Sequence, residues 1–130
     1  MIELGGIVVA LSDSRGSLIS TDGKGFTPEI IATIATLKLK GGYLTALGPL
    51  DGFKWVEGDR PWVHFESLDV ALPCATQNEV SGQEAEKLVQ AGCGFIAEGS
   101  NMVSLFVPPS FLISPSSSFP FDSLSAMTRD

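Results

Sequence analysis

The strongest constraint in this sequence is an alternation: short apolar runs, each stopped by small polar residues, take turns with two capped helical patterns. Gly6 to Leu11 is apolar and rich in β-branched residues, then stops at Ser12-Asp13-Ser14-Arg15-Gly16, the form of a parallel strand covered on both faces. Ser17 to Ser20 adds a short extended piece before the Asp22-Gly23 turn. Thr27 is placed as an N-cap, Pro28 suits the first helical position, and Glu29 lies in the first turn. Ile30, Ile31, Ile34 and Leu37 then keep helical spacing, which predicts a helix to about Lys38. Gly41-Gly42 breaks it, Tyr43 to Leu50 predicts a second short helix closed by Gly48-Pro49, and Phe53 to Glu57 a strand. Leu68 to Leu72 is a clearer strand. Ser81 and Glu84 form a capping box ahead of Ala85, Leu88 and Val89 on one face, and Gly92 ends that helix. Phe95 to Ala97 closes the series as a third core strand.

Strand, helix, strand, helix, strand predicts an α/β fold: an incomplete Rossmann-type open parallel sheet with flanking helices. Crossovers in such a sheet are right-handed, and ligands bind beyond the carboxyl ends of the strands. Three polar strand ends are therefore expected along one rim: Ser12-Asp13-Ser14, Pro73 to Asn78, and Glu98 to Asn101. Small residues there admit a ligand closely, and backbone N–H groups and amide side chains hydrogen-bond it. From Val103 onward Ser, Pro and Phe dominate, and Pro108-Pro109, Pro115 and Pro120 leave no room for a long helix or a central strand. The expected division is a folded unit over 1–102 and a poorly ordered tail over 103–130.

Composition narrows the partners. A chain of 130 residues with 44% hydrophobic content has enough material for one compact domain. Its net charge of -7, from eight Lys and Arg against fifteen Asp and Glu, opposes an extended grip on nucleic acid but leaves cations for one small anion. The longest apolar stretches, Ile7 to Leu11 and Met102 to Val107, fall far short of the roughly 20 residues a membrane helix needs. Met1 is followed by Glu3 and two glycines rather than a basic and apolar leader, so the expected compartment is the cytoplasm, or an organelle whose targeting peptide is missing. Cys74 and Cys93 are too few for a disulfide framework and are expected as free thiols.

Several motifs carry possible chemistry. Asp13 is placed to accept a hydrogen bond from an adenosine ribose if its strand is the second of a dinucleotide fold, with Ser12, Ser14 and Arg15 beside it for a 2′-phosphate. The competing interpretation is a carboxylate in a solvated turn. The glycine-rich phosphate loop ought to precede Gly6, where only Met1 to Gly5 stand, as if a dinucleotide domain were cut open at its first turn. Gly92-Cys93-Gly94-Phe95-Ile96-Ala97 sits between a helix and a strand, the reverse of a pyrophosphate cradle, and is read as a helix end. His64-Phe65-Glu66 with Pro73-Cys74 imitates a zinc deaminase, but Gln77 stands where the next cysteine ligand belongs, so no metal site is expected. His64 is expected to be hydrogen-bonded or exposed after the Pro61-Trp62 turn. Lys40, before two glycines, is read as a helix end rather than a catalytic amine.

Four segments together are distinctive: Val8 to Ser14, Pro61-Trp62, Asp69 to Glu79, and Ala97 to Met102. Over residues 1 to about 102 the chain closely resembles the glutamate dehydrogenases, particularly the NADP-dependent enzymes of fungi and bacteria. The resemblance implies the middle of that family's cofactor domain. By similarity, Asp13 and Ser14 lie at the adenosine ribose and its 2′-phosphate, with Lys38 a further basic residue for that phosphate. Ala75, Thr76 and Gln77 match the loop beside the pyrophosphate and nicotinamide ribose, and Asn101 a residue near the nicotinamide. NADP is the implied cofactor, favoured over NAD provided Ser14, Lys38 and Arg15 outweigh the charge of Asp13.

The family reaction is the reversible oxidative deamination of glutamate to 2-oxoglutarate and ammonia, with hydride passing to the cofactor. The lysine and aspartate that the resemblance implies for proton transfer belong to the substrate domain, and none of Lys24, Lys38, Lys40, Lys54 or Lys87 stands in that motif. No catalytic residue is therefore expected here, and glutamate and 2-oxoglutarate are partners only of the full-length enzyme. The chain is expected to be an NADP-linked glutamate dehydrogenase by family and a fragment without turnover in isolation. Intronic or frame-shifted translation is the expected source of the tail. The alternative is a non-catalytic nucleotide-binding module or pseudoenzyme. The family's homo-hexamer is not expected of the fragment.

Overall fold

A computed structural model describes residues 1–75 and 79–99. A short helical turn at Ile2–Leu4 leads into β1 (Ala10–Asp13), β2 (Gly16–Ser20), α1 (Pro28–Leu39), a tight turn of 3-10 helix at Leu44–Leu47, and β3 (Phe53–Glu57). A second 3-10 turn at Pro61–Val63 precedes β4 (Val70–Ala71), α2 (Gly82–Gln90) and β5 (Phe95–Ile96).

Among the described residues the strands form two small sheets, one antiparallel and one parallel. β1, β2 and β3 make an antiparallel sheet in that order, with Asp13 opposite Gly16, Leu18 opposite both Leu11 and Trp55, and Ser20 opposite Phe53. β4 and β5 pair in parallel, Val70 with Phe95 and Ala71 with Ile96. This corrects the expected open parallel sheet: the protein is a mixed α/β structure whose first strand belongs to a hairpin. The reason lies in the turn. Asp13 and Gly16 face each other across Ser14-Arg15 alone, a connection that reverses the chain, whereas a parallel return needs a crossover of about a dozen residues or more. Gly16 makes this possible. Its φ is +152°, and a Cβ there would stand 2.2 Å from the Val56 carbonyl oxygen and 2.9 Å from the Trp55 ring.

The strand covered along its whole length is β2, not Gly6 to Leu11. Ile7 is 65% exposed, while all five residues of β2 are buried. Two of those five are serines, and both hydroxyls are hydrogen-bonded. Ser17 Oγ donates to the Asp59 carbonyl (2.7 Å), and Ser20 Oγ donates to Asp22 (3.1 Å) while accepting from Gly25 N–H (3.1 Å). Burying a polar group without such partners carries a penalty; with them, the central strand tolerates serine.

The helices follow the expected signals. Thr27 caps α1 through Ile30 N–H, with Pro28 in the first turn. Ser81 and Glu84 make the reciprocal capping box of α2, Ser81 N–H donating to Glu84 Oε2 at 2.7 Å. Gly92, at φ +76°, ends α2, so the glycine motif there is a helix terminator. Two apolar clusters result. Leu18, Phe26, Ile34 and Leu44 pack between the antiparallel sheet and α1, with Phe26 and Phe53 rings 4.5 Å apart. Trp62, Ala71, Val80, Ala85, Leu88 and Cys93 pack under α2 and the parallel pair. Val89, expected on the inner face of α2, is 41% exposed.

Candidate functional site

The tip of the β1–β2 hairpin gathers most of the describable candidate residues. Ser12 lies exposed on β1 and Ser14 and Arg15 form the exposed turn, while Asp13 turns inward until its side chain is only 9% exposed. Its oxygens are fully engaged. Oδ1 accepts from Arg15 N–H at 2.9 Å, and Oδ2 accepts from Leu44 N–H at 2.8 Å and Lys38 Nζ at 2.5 Å. Lys38 comes from the last turn of α1, so one carboxylate ties together a strand end, a helix end and the turn after it. Burial alone would push this carboxyl up, but the Lys38 ammonium and the Leu44 and Arg15 N–H groups stabilise its charge, and the net displacement is below the ordinary value.

Tyr43 is the residue that sequence patterns missed. The Arg15 guanidinium lies 4.4 Å from its ring centroid and the Lys38 ammonium 5.5 Å. No motif marks Tyr43; it is placed by the helix terminator before it and by buried Leu44 after it. The outcome is a compact surface of two cations about an aromatic ring, with the Ser12 and Ser14 hydroxyls on the adjoining hairpin, in a chain that is otherwise strongly acidic.

The second region is the pair of polar ends after β4 and β5. They run side by side: Ala97 N–H donates to the Ala71 carbonyl (3.1 Å) and Gly99 N–H to the Pro73 carbonyl (2.9 Å). Ala75 N–H donates to Glu79 Oε2 at 2.8 Å, so Glu79 closes the loop that leaves β4. The Glu79 carbonyl in turn accepts from Trp62 Nε1 at 3.3 Å and from Arg60. These anchors also escaped the sequence patterns. Thr76, Gln77 and Asn101, together with the tail over 103–130, lie outside the described residues. Two of the three strand ends are thus neighbours at the end of one parallel pair, whereas the Ser12 to Ser14 end belongs to the antiparallel sheet. Of the three strand ends expected in one parallel sheet, strand pairing therefore joins two.

Elsewhere, His64 Nε2 stands 2.9 Å from Asp59 Oδ2, the hydrogen-bonded placement expected of it. Cys74 and Cys93 are both free thiols, one exposed and one buried. Among the described residues no helix is long and apolar enough to cross a membrane, and no three His, Cys, Asp or Glu converge on a metal position. An open depression on the α2 face, lined by Asp59, Arg60 and Lys87 among others, contains none of the hairpin-cluster residues and brings acids and bases together without a dominant charge.

The family model described as Glutamate/Leucine/Phenylalanine/Valine dehydrogenase matches residues 1–106. The NADP-specific glutamate dehydrogenase of Fusarium fujikuroi is 57% identical over 102 residues, which cover 78% of this chain and 23% of that protein. The enzyme of the same description from Botryotinia fuckeliana is 59% identical over 101 residues, covering 78% of this chain and 22% of its own. Among solved structures, Plasmodium falciparum glutamate dehydrogenase 2 superposes with a TM-score of 0.70 at 34% identity, covering 85% of this chain and 23% of that one. The chain therefore spans less than a quarter of the length of the relatives it matches.

Proposed function

The chain belongs to the Glutamate/Leucine/Phenylalanine/Valine dehydrogenase family, and from that premise we propose that it is a cofactor-domain portion of an NADP-linked glutamate dehydrogenase. Residues 1–102 supply the cofactor contacts on this reading, and 103–130 form a separate tail. The whole enzyme, a cytoplasmic protein, interconverts glutamate with 2-oxoglutarate and ammonia.

The observation that carries this reading is the hairpin cluster. A 2′-phosphate is a compact dianion, and Arg15 and Lys38 about one ring form a pair of cations that fits it, with Ser12 and Ser14 on the same hairpin. The parallel-strand geometry expected from sequence contributes nothing here, because β1 is antiparallel to its neighbour. The NADP-specific relatives and the cation cluster do.

The bound cofactor supplies the hydride acceptor. What the chain's own residues do is hold and orient. Arg15 and Lys38 neutralise the 2′-phosphate, and Ser12 and Ser14 donate hydrogen bonds to it. Ala75, Thr76, Gln77 and Asn101 are assigned to the pyrophosphate and nicotinamide portions. Asp13 holds Lys38 and the turn in place. No residue of the chain is assigned a proton transfer with glutamate, so the 130-residue polypeptide binds cofactor without turnover.

Calorimetric titration of the 130-residue chain with NADP and NAD tests this. Salt-sensitive binding that favours NADP is expected, with no NADP reduction above blank when glutamate is added. Lys38→Ala is expected to weaken NADP more than NAD. Equal loss for both cofactors removes Lys38 from the phosphate site, and robust turnover overturns the division between holding and chemistry.

A further inference from the structure

We propose that Tyr43 is a positioning residue that makes the hairpin selective for nucleotides bearing a 2′-phosphate, by holding the Arg15 guanidinium and the Lys38 ammonium about one aromatic ring. The proposal rests on the cofactor reading above and adds to it a residue outside the motifs that carry the family resemblance.

Both cations are long side chains at an exposed edge, and long side chains at a surface sample many rotamers unless something holds them. Each is held. The Arg15 main chain is fixed on both sides, its N–H donating to Asp13 Oδ1 (2.9 Å) and its carbonyl accepting from Gly58 N–H (2.8 Å), and its guanidinium then stacks 4.4 Å from the Tyr43 ring centroid. Lys38 is drawn in by Asp13 at 2.5 Å and stands 5.5 Å from the same centroid. The ring itself is fixed from below. Leu44, the next residue, is 3% exposed in the core and gives its N–H to Asp13 at 2.8 Å. Tyr43 is 41% exposed, so packing rests on Leu44 and the Tyr43 ring faces outward.

A ring that orders two cations changes what they discriminate. A phosphate dianion approaching them meets charge already in place and is spared the ordering cost of collecting two mobile side chains. A 2′-hydroxyl in the same position is neutral and gains little from either. Selectivity between the two therefore depends on the ring, whereas binding of the rest of the nucleotide does not. A lysine on a carboxylate is a partly neutralised cation, so the guanidinium on the ring carries the larger share of the attraction.

The test uses the complete 130-residue chain and two probes that differ at the relevant group, adenosine 2′,5′-bisphosphate and adenosine 5′-monophosphate, titrated by calorimetry. Tyr43→Leu, which keeps an apolar side chain without the ring's quadrupole, is expected to weaken the bisphosphate by about two- to five-fold and to leave the monophosphate unchanged. Tyr43→Phe is expected to restore wild-type selectivity. Unchanged bisphosphate affinity in Tyr43→Leu, equal loss of both probes, or no rescue by phenylalanine overturns the proposal. Arg15→Ala and Lys38→Ala separate it from the reading beneath it. If both weaken the bisphosphate while Tyr43→Leu does not, only the role of Tyr43 fails. If neither does, or if the wild-type chain binds neither probe, the phosphate site at the hairpin fails and Tyr43 with it.

Discussion

Removing the Asp13 carboxylate should loosen the junction of β1, α1 and the Leu44 turn by an amount that can be worked out contact by contact. In Asp13→Ala the Leu44 N–H, part-buried, loses its acceptor at 2.8 Å, and an unsatisfied buried donor costs about 1–3 kcal/mol. Arg15 N–H is exposed and finds water, and the Lys38 pair is discounted to about 0–1 kcal/mol because that lysine is 39% exposed. The expected loss is about 2 kcal/mol, or roughly 8–16 °C in Tm for a domain of about a hundred residues. The pH dependence supplies a second signature. Burial raises this carboxyl, but the hydrogen bonds from Lys38, Leu44 and Arg15 bring it below its ordinary 3.8. A depressed carboxyl stabilises the fold fully above its unfolded value, and that contribution is lost as the pH falls through the lower folded value. The gap between wild type and Asp13→Ala should thus be constant near neutrality and shrink below about pH 4. Urea unfolding followed by the fluorescence of Trp55 and Trp62 measures it, with the slope against urea unchanged. A difference at neutral pH under about 0.3 kcal/mol, well below the cost of one orphaned donor, or a gap that persists unaltered in acid, refutes the assignment of Asp13 as the tether.

Gly16→Ala should be far more damaging than an ordinary surface change, by about 3 kcal/mol or more, because its Cβ would overlap the Val56 carbonyl at 2.2 Å and the backbone stands at φ +152°; a mutant melting within about 2 °C of wild type would show the hairpin closes some other way. Leu88, wholly buried at 0% exposure, should cost about 2–5 kcal/mol as Leu88→Ala, read by the same urea titration, and a loss below about 1 kcal/mol would mean the α2 cluster collapses around the cavity. The two thiols should react with Ellman's reagent at distinct rates: Cys74 is exposed, whereas burial pushes the Cys93 thiol up and Cys93 is 8% exposed. Two equally fast thiols would contradict the packing under α2.

Local features were legible and pairing only in part. Both helices start where caps dictate, at Thr27 and Ser81, because N-cap chemistry is settled by neighbours three residues away. β3 occupies its expected range, and β4 and β5 are shorter than expected but parallel as read. Strand direction and strand burial depend on partners distant in sequence. Gly6 to Leu11 looked like a doubly covered strand because it is apolar, yet the doubly covered strand is Gly16–Ser20, with two serines, of which Ser17 finds its acceptor only in the folded chain. The hairpin left one trace, an Asp-Ser-Arg-Gly segment followed by a β-rich piece, which a turn-based reading favours over a strand end. Asp13, Arg15 and Lys38 were brought together by the family resemblance, whereas Tyr43 left no trace, since it meets them only through tertiary structure.

That meeting also resolves a difficulty the sequence raises. A carboxylate beside a phosphate site is repulsive, and from sequence alone Asp13 had to be outweighed by nearby cations. In the fold it is occupied: its lone pairs are given to Arg15, Leu44 and Lys38, and its side chain is almost fully covered. A charge so compensated contributes little field at the exposed face, while the arginine it helps to place remains outward on the Tyr43 ring. On the proposed reading, the same aspartate that would oppose NADP if it faced the ribose favours NADP by organising the cations. Asp13→Ala should therefore weaken NADP rather than strengthen it, under conditions where the variant is still folded. A variant that binds NADP more tightly would mean that Asp13 faces the phosphate after all.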